Sequence, residues 1–164
     1  MNLPATIGTG EKVTTPLNIS VTAGTLGGWT IDVTMDPNYV TIASDSDMTP
    51  GNVPSSFTSV SHLCTAGSPP CDPPPGMQVA RITGITFSSS VFGSFILANL
   101  SFTGVAQSQC GTTIKVVAKQ MIDSTLGSPL AFSPMPADLN IKLDGLQSCD
   151  DTIAPSSPTE LTVL

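Results

Sequence analysis

Apolar and polar residues alternate with a period of two along much of this chain. Leu17, Ile19 and Val21 alternate with Asn18, Ser20 and Thr22, and Trp29, Ile31, Val33 and Met35 alternate with Thr30, Asp32 and Thr34. Asp36-Pro37-Asn38 then reads as a turn, and Val40 and Ile42 follow with Thr41 between them. This spacing predicts strands with one face on a core and the other toward solvent or a partner. Further strands are predicted over Gln78–Phe87, Phe95–Gly104, Thr112–Gln120 and Leu139–Leu143. In the second of these, Ile96, Ala98, Leu100 and Phe102 share one face. In the third, Ile114, Val116 and Ala118 do so, with Lys115 and Lys119 pointing away. No stretch carries an apolar stripe at helical spacing that is free of Gly, Pro and β-branched runs. The fold class that results is all-β, a β-sandwich or jelly roll whose strand order periodicity does not supply.

Two segments break the alternation. Residues 46–76 hold seven prolines (Pro50, Pro54, Pro69, Pro70, Pro73, Pro74 and Pro75) together with Cys64 and Cys71. So much Pro excludes a central strand, because each Pro lacks the N–H that a ladder needs. The segment reads as a loop excursion from the sandwich, interrupted by a short edge strand near Phe57–Val60. After residue 146 the alternation stops again, and 147–158 has the acidic, Pro- and Ser-rich character of a linker. Residues 159–164 resume an alternating pattern and resemble the opening strand of a fibronectin type III module. The division expected is therefore 1–146 as the sandwich, 147–158 as linker and 159–164 as the start of a further module.

Composition narrows the function. The chain has 164 residues, of which 10% are charged, and a formal net charge of -7 with a single Arg. A basic stripe able to neutralise phosphates is absent, so nucleic acid is excluded as a partner. The longest apolar run, around Phe95–Leu100, falls far short of the roughly 20 residues that span a bilayer, so no membrane insertion is expected. No basic segment followed by an apolar one opens the chain, and no signal peptide is expected in it. Ser and Thr number 41, and they fall largely on the outward positions of the strands. Such short side chains lose little entropy on being ordered against a partner.

Chemistry-bearing patterns are sparse. Nucleophilic catalysis needs a base within reach of a Ser or Cys, but His62 is the one histidine and there is no G-x-S-x-G turn. The carboxylates lie mostly in turns, with Asp32 in mid-strand, so nothing favours an enzyme. Asp45-Ser46-Asp47 begins like a calcium loop, yet Thr49-Pro50-Gly51 breaks the spacing and no Glu closes it. Trp29 is in phase with Ile31 and Val33, which places it in the core and not on a sugar-stacking platform. Cys64, Cys71, Cys110 and Cys149 suit disulfides, with Cys64 and Cys71 bracketing a short loop and Cys110 and Cys149 left to join later segments. A zinc site is the rival reading, against which stand the lack of C-x2-C or C-x4-C spacing and a single His. Reduced thiols are the third.

The run Val13-Thr14-Thr15-Pro16-Leu17-Asn18-Ile19-Ser20, followed by Leu26-Gly27-Gly28-Trp29-Thr30-Ile31-Asp32-Val33-Thr34-Met35-Asp36-Pro37-Asn38, resembles the opening of a cohesin module. That family typically reads as a VPVNIS strand, a glycine-bearing turn and a strand ending in YDP; here Met35 stands where Tyr is usual. Val79-Ala80-Arg81-Ile82 and Leu97-Ala98-Asn99-Leu100-Ser101-Phe102 resemble its central strands, and Met121-Ile122-Asp123-Ser124 and Leu139-Asn140-Ile141-Lys142-Leu143 its closing hairpin region. The likeness spans roughly residues 5–145. It implies a jelly roll of about nine strands, extracellular or cell-surface placement, no catalysis, and docking of a dockerin-type module. It implies no cofactor on this chain, the calcium of such complexes belonging to the dockerin. By that likeness the docking face includes residues 30–38 and 78–86, so Thr30, Asp32, Thr34, Asn38 and Arg81 are the candidate partner-binding residues. The two-cysteine, Pro-rich excursion departs from the family pattern. Because family-3 carbohydrate-binding modules share the fold, polysaccharide binding is the alternative function, and a structural spacer of a modular surface protein is the third.

Overall fold

A computed structural model describes residues 7–68, 71–86, 91–106, 112–123, 138–141 and 161–163. Among them the alternating pattern forms nine strands: β1 (Lys12–Met35), β2 (Val40–Thr41), β3 (Met48–Pro50), β4 (Thr58–Leu63), β5 (Gln78–Ile85), β6 (Val91–Gly104), β7 (Thr112–Asp123), β8 (Asp138–Ile141) and β9 (Leu161–Val163). The one helical element described is a single 3-10 turn at Asp45–Asp47. The sandwich predicted from the period of two is the observed architecture.

Strand β1 organises both layers. Its 24 residues would reach about 80 Å if straight, roughly twice the diameter of a compact chain of this size. It therefore bends, and the pairing register shifts between Val21 and Leu26. Before the bend, Lys12–Val21 pairs antiparallel with β6, whose other edge takes β2 and β3. After it, Gly28–Met35 pairs with β5 on one side and Thr34 back to Leu26 pairs with β7 on the other. Strand β4 extends this second sheet beyond β5, and β8 extends it beyond β7. The terminal β9, in the segment read as opening a further module, lies parallel to Ile19–Val21 of β1.

The core fills the space between the layers. Leu17, Ile19, Leu97, Leu100 and Phe102 come from the first sheet, and Ile31, Val33, Met35, Ile82 and Ile114 from the second, all with no exposed surface. Each such side chain contributes about 1.5–3 kcal/mol through removal from water. One detail departs from strict alternation. A register shift between Leu17 and Asn18 places Asn18 opposite Ile96, so Phe95 and Leu97 are buried while Ile96 is only half so. The Ile96 N–H donates to Asn52 Oδ1 at 2.6 Å.

Trp29 is core, as its phase predicts, at 2% exposure. Its ring sits 5.0 Å from that of Phe57, tilted by 38°, and it fills the space over Gly84, where an added Cβ would meet Trp29 Cζ2 at 2.1 Å. Tyr39, for which the turn next to it suggests exposure, instead packs its ring partly against the core. The Pro-rich excursion also proves more regular than its composition suggests. It contains β3 and β4, and Pro50 is accommodated because β3 pairs on one side only, with β6.

Candidate functional site

Alternation along the second sheet leaves one face of it on the outside of the sandwich. Cross-strand register builds this face in rows. One row runs Lys115, Thr34, Val79. The next runs Val117, Asp32, Arg81, His62. The third runs Gln120, Thr30, Thr83, Val60, and the last Ile122, Gly28, Ile85, Thr58. Short hydroxyl side chains alternate with aliphatic ones, and long charged side chains are few. Val60 is 54% exposed and Ile85 41%, an unusual degree for aliphatic residues set in a sheet.

The centre of the face is an ion pair. Arg81 Nε donates to Asp32 Oδ1 at 2.6 Å and a terminal guanidinium nitrogen donates to Asp32 Oδ2 at 2.7 Å. The two residues are directly opposed on β5 and β1, which lets the planar guanidinium meet both carboxylate oxygens. The Asp32 hydrogen bonds push the Arg81 pKa up against the opposing effect of burial, so the cation is permanent. The side chains are 12% and 9% exposed, and a charge so enclosed is stable only with its partner in place.

Four of the five residues singled out from the sequence are thus together: Thr30, Asp32, Thr34 and Arg81 share this face. Asp32 and Arg81 are spent largely on each other, so their part is to order the face, while Thr30 and Thr34 flank them half-exposed. Asn38 stands apart from the rows, beyond the end of β1. Its backbone N–H and its side-chain Nδ2 both donate to Asp36 Oδ1 at 2.9 Å, closing the Asp-Pro-Asn turn from which Tyr39 and Val40 donate back to the Asp36 carbonyl. The residues that sequence reasoning did not single out are Val60, Thr83, Ile85 and Gln120. Alternation gives Thr83 and Ile85 the phase of Arg81, but not the outward place of the apolar Val60 or of Gln120, which a register shift opposite Thr30 and Ile31 brings round; their place beside β1 depends on strand order, which alternation does not encode.

One corner of the face is covered. Val79 occupies an outward position opposite Thr34, yet it is only 4% exposed. The chain leaving β4 at Cys64 runs beside it, the Cys64 N–H donating to the Val79 carbonyl at 2.9 Å. Cys64 is bonded to Cys71, with Cα atoms 5.4 Å apart, as the short closure between them suggests. Within the loop, the Gly67 N–H donates to Asp72 Oδ1 at 2.8 Å, and Gly67 takes a positive φ of 74° that suits glycine. His62 Nε2 lies 3.2 Å from Cys71 Sγ. Cys110 and Cys149 lie outside the described residues.

The acidic Asp45-Ser46-Asp47 segment has other work. Asp45 Oδ1 accepts the Leu63 N–H at 2.8 Å, and Asp47 is paired with the Lys12 ammonium. The hydrogen bond from Lys12 holds the Asp47 carboxyl below the usual carboxylate range, against the opposing effect of burial. Both carboxylates thereby tie the start of the excursion to β4 and β1. No helix among the described residues is long and apolar enough to cross a membrane.

No protein-family profile matches the sequence, and no curated protein matches it. Solved structures do match. A chain of the CaDoc0917–CaCohA2 complex, crystallised at pH 5.5, aligns at 18% identity over 76% of this chain and 86% of that one, with a TM-score of 0.52. A structure of the sixth cohesin from Acetivibrio cellulolyticus scaffoldin B with a Cel5 dockerin aligns at 18% identity over 76% of this chain and 85% of that one, with a TM-score of 0.45. At such identity the likeness is one of fold, and the sandwich described above is a cohesin-like jelly roll.

Proposed function

We propose that this chain is a non-catalytic interaction module that docks a dockerin-type partner through the outer face of β8, β7, β1, β5 and β4, tethering proteins in an extracellular or cell-surface assembly. The observation that carries the reading is the face itself. A cohesin-like fold presents two exposed aliphatic side chains, Val60 and Ile85, among hydroxyls that are cheap to order, around a rigid central ion pair. That is the make-up of an interface with a few apolar anchors and a polar surround. The fold's likeness to a cohesin–dockerin complex supports the choice of partner. Among the described residues the face offers no nucleophile with its base, which supports a binding role over a catalytic one.

Polysaccharide binding at this face is disfavoured by its lack of an exposed ring among the described residues, Phe92, 67% exposed, belonging to β6 in the other sheet. Trp29 is buried and Tyr39 packs on the core, so neither supplies a stacking platform. Isothermal titration of the chain against a panel of dockerin modules, with calcium and with chelator, tests the proposal. Saturable one-to-one binding that needs calcium on the dockerin is expected. Absence of binding across the panel, with retardation in cellulose, chitin or xylan gels, would overturn it in favour of the carbohydrate reading.

A further inference from the structure

The covered corner of the sheet brings together three groups whose chemistry goes beyond a staple. His62 and Cys64 are two residues apart at the end of β4, and strand geometry sends side chains at that spacing to the same side. Cys71 returns to them after the turn at Gly67. The imidazole nitrogen and the two sulfurs all lie within 4.8 Å of one another.

We infer that the chain, once its Cys64–Cys71 disulfide is reduced, holds a thiophilic divalent cation of the zinc class on His62 Nε2, Cys64 Sγ and Cys71 Sγ, and that the intact disulfide keeps this site closed. Tetrahedral zinc takes sulfur at about 2.3 Å and imidazole nitrogen at about 2.1 Å, which sets ligand atoms roughly 3.5–3.8 Å apart. The donors lie within 4.8 Å of one another, so that spacing is reached by small side-chain movements once the sulfurs part, and the separation of the cysteine Cα atoms, 5.4 Å, leaves room for both side chains to converge on one ion by χ1 rotation. Two thiolates and a neutral imidazole cancel the charge of the cation. The nearest permanent charge on the neighbouring strand, Arg81 opposite His62, is itself neutralised by Asp32. Cys71 is buried, but His62 and Cys64 are half-exposed, which leaves the fourth position to water. Thiophilic ligation also uses a feature that stapling alone does not need, the histidine directed at the sulfur.

The two states are chemically exclusive. A phosphine or dithiol reductant supplies two electrons and the disulfide sulfurs take up two protons to become thiols. Binding of the cation then releases those protons as the thiolates form. The missing short Cys-x-Cys spacings, which weigh against zinc in the sequence, do not bear on this arrangement, because β4 and the loop place the ligands and not a knuckle.

The test uses the chain with Cys110→Ser and Cys149→Ser, reduced by phosphine under anaerobic conditions and titrated with cobalt(II) as a spectroscopic stand-in for zinc. One equivalent is expected to give thiolate-to-cobalt charge-transfer bands and the strong visible bands of tetrahedral cobalt, both bleached by zinc. The oxidised protein should give neither. His62→Ala should weaken binding at least about tenfold, and Cys71→Ser should abolish the charge-transfer bands. Far-UV circular dichroism checks that each variant keeps its strands. If the double serine variant does not fold, the same titration on the reduced wild-type chain must show one equivalent that His62→Ala removes. Featureless spectra from the reduced, folded chain, or cobalt binding indifferent to His62→Ala, would overturn the inference.

Discussion

At the scale of single residues, two positions carry more than their size suggests. Gly84 faces Trp29 across the β1–β5 ladder, and the indole occupies the place of its absent Cβ. Gly84→Ala should therefore displace the ring and destabilise the fold by about 1–3 kcal/mol, read as a lower urea midpoint with a blue- or red-shifted Trp29 emission. The ring already leaves its Nε1 buried without a hydrogen-bond partner, so this part of the core is held by shape and not by polar satisfaction. Asp32 and Arg81 illustrate the opposite case. Either Asp32→Leu or Arg81→Met alone takes the counter-charge away from an enclosed charged group and should cost about 3 kcal/mol. Asp32→Leu with Arg81→Met together should cost much less, because both charges go at once. A double-mutant cycle by urea denaturation measures this. Additive losses would show that the pair is not coupled and would remove its role in ordering the face.

At the scale of elements, the strands are legible because each buries one face and the period of two records it. Leu17–Thr22, Trp29–Met35, Gln78–Phe87 and Thr112–Gln120 all fall within or overlap observed strands. What alternation misses has physical causes. Gly27-Gly28 stands where the family likeness implies a glycine-bearing turn but is extended backbone inside β1, and Gly28 lies so close to β5 that a Cβ would sit 3.1 Å from the Gly84 carbonyl oxygen. The register shift at Leu17 turns Leu97 inward in place of Ile96, and such a shift leaves no signature in composition. Within the excursion, Pro50 is compatible with β3 only because that strand pairs on one side. Two elements meet through Lys12 of β1 and Asp47 of the 3-10 turn. The Asp47 pKa is lowered in the folded chain, so the pair stabilises the fold above about pH 4, the unfolded value. That stabilisation is lost as pH falls through the lower folded value. Since Lys12 is 54% exposed, Lys12→Met should cost no more than about 0.5–1 kcal/mol at neutral pH. The gap between variant and wild type should close in acid and shrink in high salt. A gap that stays constant from pH 7 to pH 2 in urea melts would show that the ion pair is not its source.

At the scale of the whole molecule, a bent strand shared by two sheets makes one outer face rigid enough to serve as a surface. β1 lies between β5 and β7 there, so its backbone polar groups are engaged on both sides and the side chains above it have a fixed spacing. The residues of the candidate face were only partly legible in the sequence for the same reason. Thr30, Asp32, Thr34 and Arg81 could be named from their strands and from family resemblance, but Thr83 and Ile85 come beside Thr30 only once β5 is known to pair with β1, and Val60 only once β4 is known to follow β5. If docking uses this face, its energy should concentrate on the exposed aliphatic side chains that flank the ion pair, since truncating or charging an anchor typically costs more than 1 kcal/mol, about fivefold or greater in affinity. Val60→Asp and Ile85→Asp are each expected to weaken dockerin binding by at least about tenfold, with thermal midpoints close to wild type because neither side chain belongs to the core. Phe92→Asp is the matched control. Phe92 is 67% exposed but belongs to β6 in the opposite sheet, so charging it should leave affinity unchanged. Calorimetric titration of the three variants decides between the faces: loss of binding with Phe92→Asp, and retention with Val60→Asp and Ile85→Asp, would place the interface on the first sheet.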